Sequence, residues 1–395
     1  FEVSEKNEYL TSDGGAIYSK DFTTLVLVPT AKTEIALKEE LTAIGANAFV
    51  GCIGMKEITL PDGVGTIGNN AFKGCGGLTK ITLGTSLSSL GEFAFNSCTG
   101  LTEIVLPNTV KSIGAFAFNG CKGITNINIP EGVGILNANT FAGCSGITEL
   151  TLPESLTFID NYTFYACTGL KTIEIPNAVI GINYGAFSLC TSLTKVTLGK
   201  KVADLRDAAF SACSELKEFV VADGNENFAS FDGALYSIDF TTLFVTPSGK
   251  DTIKLKDTVT KIKADAFSCC AKLASIEFPD TLQSIGDGAF LNCFALKTVF
   301  FKEGLKEMGT NVFSGCSSLK EITLPNSLLS IEDATFSGCT NLTKVVLGEN
   351  VEYLGESVFR GCTNLVDVVF SMHLDEIGQY AFCDCQSLKS MVLPN

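Results

Sequence analysis

The chain has 395 residues, 28 lysines and arginines against 43 aspartates and glutamates, and a formal net charge of −15. This charge disfavours nucleic acid and anionic membrane surfaces as partners, because both attract basic patches. No apolar run is long enough to cross a bilayer and no signal peptide is recognisable, so we expect no membrane insertion in this segment.

The chain is built on a 23-residue repeat, which is clearest in residues 101–123, LTEIVLPNTVKSIGAFAFNGCKG. Its phenylalanine returns at the same step in two series: Phe49, Phe72, Phe95, Phe118, Phe141, Phe164, Phe187 and Phe210, then Phe267, Phe290, Phe313, Phe336, Phe359 and Phe382. A fixed period of this length indicates a solenoid, in which each repeat forms one coil and buries its apolar edge against its neighbours.

Each coil is predicted to begin with one short strand and then to turn. In residues 101–123 the side chains of Ile104 and Leu106 point inward, Pro107 ends the strand, and Gly114 occupies a predicted turn. The Gly114 position holds Gly, Asn or Asp in most coils, so we expect a positive φ there.

Two repeats are longer than the others, with steps from Phe1 to Ile35 and from Phe219 to Ile253. The two match each other without a gap, and their sequences GGAIYSKDFTTL and DGALYSIDFTTL each predict an added β-hairpin. We interpret residues 1–395 as one elongated solenoid with sub-blocks 1–218 and 219–395, each of which opens with one of these 34-residue repeats.

The added hairpins have two possible roles. They either only cover the longer coil or form a contact surface that carries the aromatic residues Tyr18, Phe22, Tyr236 and Phe240. Tyr18 aligns with Tyr236 and Phe22 with Phe240, so the same role is expected for both hairpins.

Fourteen of the sixteen cysteines lie three residues after the repeat phenylalanine, so one repeat position explains them without disulfide pairing. Equivalent side chains in stacked coils point in parallel, which is unfavourable for a disulfide, and a free cysteine packs as a small hydrophobe. We therefore predict reduced thiols in the core, and make no prediction for Cys269 and Cys383. The spacing gives no zinc motif, and we expect no metal and no cofactor.

Residues that support catalysis are scarce in this sequence. His373 is the only histidine and falls in a turn after a strand, where a solvated side chain is expected. The glycine-rich stretch at residues 62–68 lacks the lysine and hydroxyl residue of a phosphate-binding loop. An enzyme is therefore the least favoured class of function.

One outward-facing row of the predicted strands becomes apolar toward the C-terminus. The row begins with Thr59, Thr82 and Val105, and toward the C-terminus its apolar members are Phe300, Val346, Val369 and Val392. Two explanations remain open: β-branched residues suit any sheet, and contiguous exposed apolar residues mark contact sites. On the second explanation these four residues form the candidate binding site.

The pattern LxxIxLPxxLxxIGxxAFxGCxx, present as residues 101–123, resembles the Treponema pallidum type of leucine-rich repeat found in BspA-like bacterial surface proteins. The DGxLYSxDxTTL unit at residues 232–243 is also similar to that family, and the resemblance covers essentially the whole chain. Proline or glycine follows the strand where more familiar leucine-rich repeats have an asparagine ladder. We therefore do not use the binding geometry of receptors with an asparagine ladder to predict how this protein binds a partner.

The period and the two repeat lengths predict an α/β fold: a right-handed leucine-rich-repeat solenoid, or horseshoe-like arc, with a parallel inner sheet, helical or irregular outer segments and two added β-hairpins. The resemblance implies an extracellular protein, secreted or on a bacterial surface, that adheres to a host or microbial surface protein or glycan. The alternative is a structural stalk that displays other domains of a longer surface protein. Both ends of the sequence look trimmed, because Phe1 falls in mid-repeat and Asn395 follows a strand directly.

Overall fold

A computed structural model describes residues 1–393, which contain β-strands and turns but no helix. The chain forms two compact units, Phe1–Ala209 and Phe210–Asn395. In both units a coil contains up to two strands: a first strand of three or four residues and a second strand of two residues.

Unit 1 begins with three antiparallel strands, β1 (Leu10–Asp13), β2 (Ala16–Ser19) and β3 (Thr24–Leu27). Its first strands are β5 (Glu57–Thr59), β7 (Lys80–Thr82), β12 (Thr172–Glu174) and β14 (Lys195–Leu198). Its second strands are β4 (Ala43–Ile44), β6 (Thr66–Ile67), β8 (Ser89–Leu90), β9 (Ser112–Ile113), β10 (Ile135–Leu136), β11 (Phe158–Ile159), β13 (Gly181–Ile182) and β15 (Asp204–Leu205).

Unit 2 begins with β16 (Glu218–Val221), followed by three antiparallel strands, β17 (Phe228–Phe231), β18 (Ala234–Ser237) and β19 (Thr242–Val245). Its first strands are β21 (Ser275–Glu277), β23 (Thr298–Phe300), β25 (Glu321–Thr323), β27 (Lys344–Val346) and β29 (Asp367–Val369). Its second strands are β20 (Lys261–Ile262), β22 (Ser284–Ile285), β24 (Glu307–Met308), β26 (Ser330–Ile331), β28 (Tyr353–Leu354) and β30 (Glu376–Ile377).

Strands of successive coils pair in parallel and in register with the repeat period. In unit 1, Ile58 of β5 pairs with Ile81 of β7, and in unit 2, Val345 of β27 pairs with Val368 of β29. The second strands form a parallel sheet of their own, as in the pairing of Ser89 with Ser112. The leucine-rich solenoid is therefore as predicted, whereas the second strand of each coil was not predicted.

The expectation of an α/β fold is wrong, because no helix forms in the outer part of any described coil. The backbone N–H groups of Phe116, Phe118 and Gly120 donate to carbonyls of the next coil, at 2.7–3.0 Å. Phe116 and Gly120 also have positive φ values of 59° and 73°. A helix needs these N–H groups for bonds within the segment and does not accept two such φ values four residues apart.

The expected positive φ at the Gly114 position is also wrong. A Cβ atom at Gly114 would lie 2.6 Å from the backbone nitrogen of Glu92 and the carbonyl carbon of Gly91, and its φ is not positive. Glycine is therefore favoured here because the backbones of neighbouring coils lie too close together to leave room for a Cβ atom. Where this position holds Asn137, the side-chain Nδ2 donates to the carbonyl oxygen of Ile113 at 2.7 Å.

The core of each unit is a column of stacked rings and thiols. In unit 1 the ring centroids of Phe72, Phe95 and Phe118 are 5.1 and 5.3 Å apart with the rings nearly parallel, and these side chains are fully buried. In unit 2, Phe313 and Phe336 stack at 5.6 Å. Parallel stacking follows from the repeat, since identical rings recur at one coil spacing.

The two longer repeats each form a three-stranded antiparallel meander, with the third strand joining the second strands of the coils. Leu10 pairs with Ser19 in unit 1, and the equivalent residues Phe228 and Ser237 pair in unit 2. Leu25 of β3 then pairs in parallel with Ile44. The interpretation of residues 1–395 as one solenoid with sub-blocks 1–218 and 219–395 remains a prediction.

Candidate binding surface

In the three-residue first strands of unit 2, one outward-facing residue lies on each side of an inward-facing central residue. In β23 the buried residue is Val299, and Phe300 beside it is 58% exposed. Val369 on β29 is 44% exposed and Val392 is 86% exposed. Three of the four residues predicted for the site therefore have solvent-exposed side chains.

Val346 differs from the expectation, because its side chain is half-buried instead of exposed. It lies in register between Thr323 of β25 and Val369 of β29, and both neighbours cover it. Val369 belongs to the last strand of this sheet and has one such neighbour, which leaves more of it exposed. The sequence pattern predicts whether a side chain points outward, but it does not predict how much of that side chain the neighbouring strands bury.

The other outward-facing row of the first strands carries charges of both signs. In unit 1, Lys80 lies 3.6 Å from Glu103, and in unit 2, Lys344 lies 3.1 Å from Asp367. Exposed pairs of this kind contribute about 0–1 kcal/mol each. This row therefore behaves as a solvated face in both units.

Two shallow grooves lie on the first-strand face around β23 and were not predicted from the sequence. The larger has a volume of about 460 Å³ and is lined by Glu277, Phe278, Asp280 and Lys302 among others. The smaller has a volume of about 320 Å³ and includes Phe300 itself. Phe300 and Glu277 are in-register partners on neighbouring strands, and Glu277 lines the larger groove, so the two grooves lie along adjacent strands.

A local change in the repeat sequence forms these grooves. Most coils have Leu or Ile followed by Pro or Gly at the end of the first strand, whereas this coil has Phe301 and Lys302. The Phe301 ring stacks on buried Phe278 at 5.5 Å, and Lys302 extends over the surface. The run TVFFKEG at residues 298–304 is the sequence signal that would have indicated this site.

The groove borders are acidic with a single bridging lysine. The Nζ atom of Lys302 lies 3.5 Å from a carboxylate oxygen of Glu277 and 4.0 Å from one of Asp280. Both carboxylates are largely solvent-exposed. One lysine at these distances leaves the borders with excess negative charge.

The meanders do not expose the aromatic surface that was one of the two alternatives for them. Tyr18 and Tyr236 are completely buried, and Phe22 and Phe240 are half-buried beside them. The ring of Phe240 lies 5.8 Å from that of Tyr236, and Lys256 Nζ lies 4.8 Å from the Phe240 ring. The arrangement matches the other alternative, in which the added strands cover the longer coil.

Unit 1 has aromatic residues at positions where other coils have asparagine or glycine. Phe93 and Phe116 stack at 4.6 Å, and Lys73 Nζ lies 5.0 Å from the Phe93 ring. Tyr162 and Tyr184 make an edge contact at 5.5 Å. Phe93, Phe116 and Tyr162 are half-buried, and Tyr184 is 45% exposed, so each is less exposed than Phe300.

All sixteen cysteines are free in the structure. Most core thiols donate to the carbonyl oxygen of a phenylalanine in the preceding coil, as Cys121 does to Phe95 at 3.0 Å. Burial raises the pKa of the Cys121 thiol to about 12. A thiol held this way is a structural donor and a poor nucleophile.

His373 lies in an exposed turn, with its Nδ1 2.9 Å from the carbonyl oxygen of Glu349. Within residues 1–393 no three His, Cys, Asp or Glu side chains are grouped in a way that could hold a metal ion. The same residues include no helix that is long and apolar enough to span a membrane.

Stacked parallel coils with leucine, phenylalanine and cysteine columns define a leucine-rich-repeat solenoid. The profile of the BspA-type leucine-rich-repeat region matches residues 29–148, 134–246, 244–366 and 306–395, so the chain belongs to this family. A search of the curated proteins found no sequence that matches this chain.

Among solved structures, the chain resembles a leucine-rich cell surface protein from Faecalibacterium prausnitzii, with 29% identity and a TM-score of 0.68. The match covers 93% of this chain and 96% of that one. A leucine-rich repeat protein from Eubacterium ventriosum has 23% identity and a TM-score of 0.66, over 98% and 90% of the two chains. One from Bacteroides ovatus has 24% identity and a TM-score of 0.51, over 98% and 94%. The last two similarities show the fold alone.

Proposed function

We propose that this chain is a bacterial cell-surface or secreted binding protein, which contacts its partner through the first-strand face of unit 2. The observation that carries the proposal is the exposure of Phe300. Equivalent positions in other coils hold Thr59, Thr82 and Thr323, and the exposed aliphatic Val105, whereas here a large aromatic ring is 58% exposed and lines a groove. An exposed aromatic residue next to a concave surface is typical of a contact site.

The extracellular location and the adhesive role are part of this proposal. Membership of the BspA-type family supports them, as does the similarity to a Faecalibacterium protein described as a cell surface protein. The partner we propose is a host or microbial surface macromolecule, held by a broad protein–protein contact rather than in a deep pocket. We propose no catalytic role.

A structural stalk is the second candidate. The row containing Lys80 and Glu103 in unit 1, and the row containing Lys344 and Asp367 in unit 2, offset charges between coils and suit a solvated spacer. A spacer does not need an exposed phenylalanine at the edge of a groove, which is why binding is preferred.

The test is a screen of the intact chain against purified host matrix proteins, bacterial surface proteins and glycans, with Phe300→Ser as the matched variant. Binding that is lost in the variant supports the proposal. Binding that is unchanged in the variant contradicts the proposed surface, and a screen without any ligand favours the stalk.

A further inference from the structure

The grooves beside Phe300 carry more negative than positive charge. Their lining includes Lys254 and Lys302 against five carboxylates, those of Asp257, Glu277, Asp280, Glu303 and Glu321. Glu321 is exposed, and Lys302 is already bridged to two carboxylates at 3.5 and 4.0 Å. A partner that carries positive charge would offset the excess.

The acidic groups surround an apolar centre. Phe300 is exposed, Phe301 is half-buried, and Pro325 closes the smaller groove. Glu277 and Phe300 are in-register partners, so their side chains project from adjacent positions of neighbouring strands. A ligand that stacks on an aromatic ring and pairs with a carboxylate at the same time fits this arrangement.

The guanidinium group of arginine has both properties. It is planar, stacks on aromatic faces, and donates two parallel hydrogen bonds to one carboxylate, whereas the lysine ammonium is a more strongly hydrated point charge. Lys302 is exposed and bound to Glu277 at a long distance, so an incoming arginine can displace it from that carboxylate.

The shape of the grooves favours an extended segment. The grooves extend across β21, β23 and β25, which are neighbouring strands separated by about 4.8 Å. A chain in the extended conformation advances about 3.3 Å per residue, so about three residues cover this span.

We propose that the Phe300 grooves bind an arginine-containing extended segment of a protein partner, with the guanidinium stacked on Phe300 and paired with Glu277. This inference rests on the proposed function, since it names the class of partner for the same face.

The experiment measures fluorescence anisotropy of a labelled peptide of about seven residues, composed of arginine, glycine and leucine, with the full chain. The comparison peptides carry citrulline, the neutral analogue, or lysine in place of arginine. The variants are Phe300→Ser and Glu277→Gln. Phe294→Ser is the control for the ring, because Phe294 is 51% exposed in the same unit but lies outside the two grooves. Glu174→Gln is the control for the charge, since Glu174 ends the first strand β12 as Glu277 ends β21.

We expect saturable binding of the arginine peptide, weakened about 10-fold or more by citrulline and weakened several-fold by lysine. Phe300→Ser and Glu277→Gln should each weaken binding by about 3- to 10-fold, and the two controls should leave it unchanged. Circular dichroism of Phe300→Ser should match the parent, because the replaced ring is exposed.

Equal binding of the arginine and citrulline peptides, or of the parent and Phe300→Ser, would overturn the inference. Equal binding of the lysine peptide would reduce the interaction to simple charge attraction and overturn the role of arginine. A neutral oligosaccharide that binds in a Phe300-dependent manner, without arginine-peptide binding, would identify a glycan site instead. If the peptide fails but a protein from the screen loses binding to Phe300→Ser, this inference fails and the proposed function stands.

Discussion

The thiol of Cys121 lies 3.0 Å from the carbonyl oxygen of Phe95, in the preceding coil, and donates a hydrogen bond to it. The same carbonyl also accepts the backbone N–H of Cys98 at 3.0 Å. The cysteine position thus requires a small, apolar side chain that can donate a hydrogen bond. This requirement explains the recurrence of cysteine through the core without any disulfide.

Thiol titration tests this account of the cysteines. After denaturation without reductant, a chromogenic disulfide reagent should detect most of the sixteen thiols. In the native protein, only the partly exposed thiols of Cys269, Cys383 and Cys385 should react quickly, because the others are buried. Recovery near zero from the denatured protein would show that the cysteines are paired.

Stability should fall steeply in alkali. Burial raises the pKa of Cys121, Cys270 and Cys362 to about 12, whereas an unfolded thiol has a pKa of about 8.5. The unfolded state therefore releases these protons first, and the stabilisation, complete below about pH 8.5, is lost as the pH rises toward 12. Each such thiol should lower the free energy of unfolding by about 1.4 kcal/mol per pH unit in that window. Urea unfolding at several pH values measures the slope, and a flat profile between about pH 9 and 11 would contradict the burial of neutral thiols.

Replacing a core ring should cost far more than replacing an exposed one. Phe118 is fully buried between Phe95 and Phe141, so Phe118→Ala should lower the free energy of unfolding by about 3–5 kcal/mol. Phe300→Ala should change it by less than about 1 kcal/mol, because the ring is mostly exposed. Urea denaturation followed by circular dichroism gives both values. Similar losses in the two variants would show that the assignment of buried and exposed rings is wrong.

The turn between β2 and β3 should contain an unusually acidic aspartate. The hydroxyls of Ser19 and Thr23 and the backbone N–H of Thr23 all donate to the carboxylate of Asp21, which lowers its pKa to about 2. Above about pH 4, the ordinary pKa of an aspartate, the ionised Asp21 side chain stabilises the folded turn. This stabilisation is lost as the pH falls through about 2, where the folded carboxylate becomes protonated. Carbon-13 NMR titration should show this low pKa for Asp21, with Asp239 in the equivalent turn of unit 2 also shifted downward. A value near 4 for Asp21 would contradict the bonded turn.

Much of the architecture follows from the sequence, because the repeat period fixes which side chains stack. The buried positions of Phe118 and Cys121 were predicted from that spacing alone. The outer part of the coil was not, since a period cannot show whether the N–H of Phe118 bonds within its own segment or to Thr140 of the next coil. The role of Gly114 was misread for the same reason, because close approach depends on the preceding coil.

The exposure of the candidate residues was predicted in part, and their role in binding remains a proposal. Alternation along the strand correctly indicated that Phe300 and Val369 point outward, but it could not show how far neighbours cover Val346. The grooves depend on Phe301 and Lys302, which replace the usual leucine and proline, and on their packing against a neighbouring coil. Replacing one repeat residue alters the groove through contacts with the neighbouring coil. The sequence of a single coil does not specify those contacts.

The central claim is that the first-strand face of unit 2 binds a macromolecular partner. The most direct measurement is surface plasmon resonance of the parent, a Phe300→Ser/Val369→Lys double variant and the Phe294→Ser control against ligands from the surface-protein and glycan screen. Each replaced residue is exposed, so all three proteins should fold alike. We predict that the double variant binds at least about 10-fold more weakly, while the control equals the parent. Equal affinity of the double variant and the parent would contradict the claim.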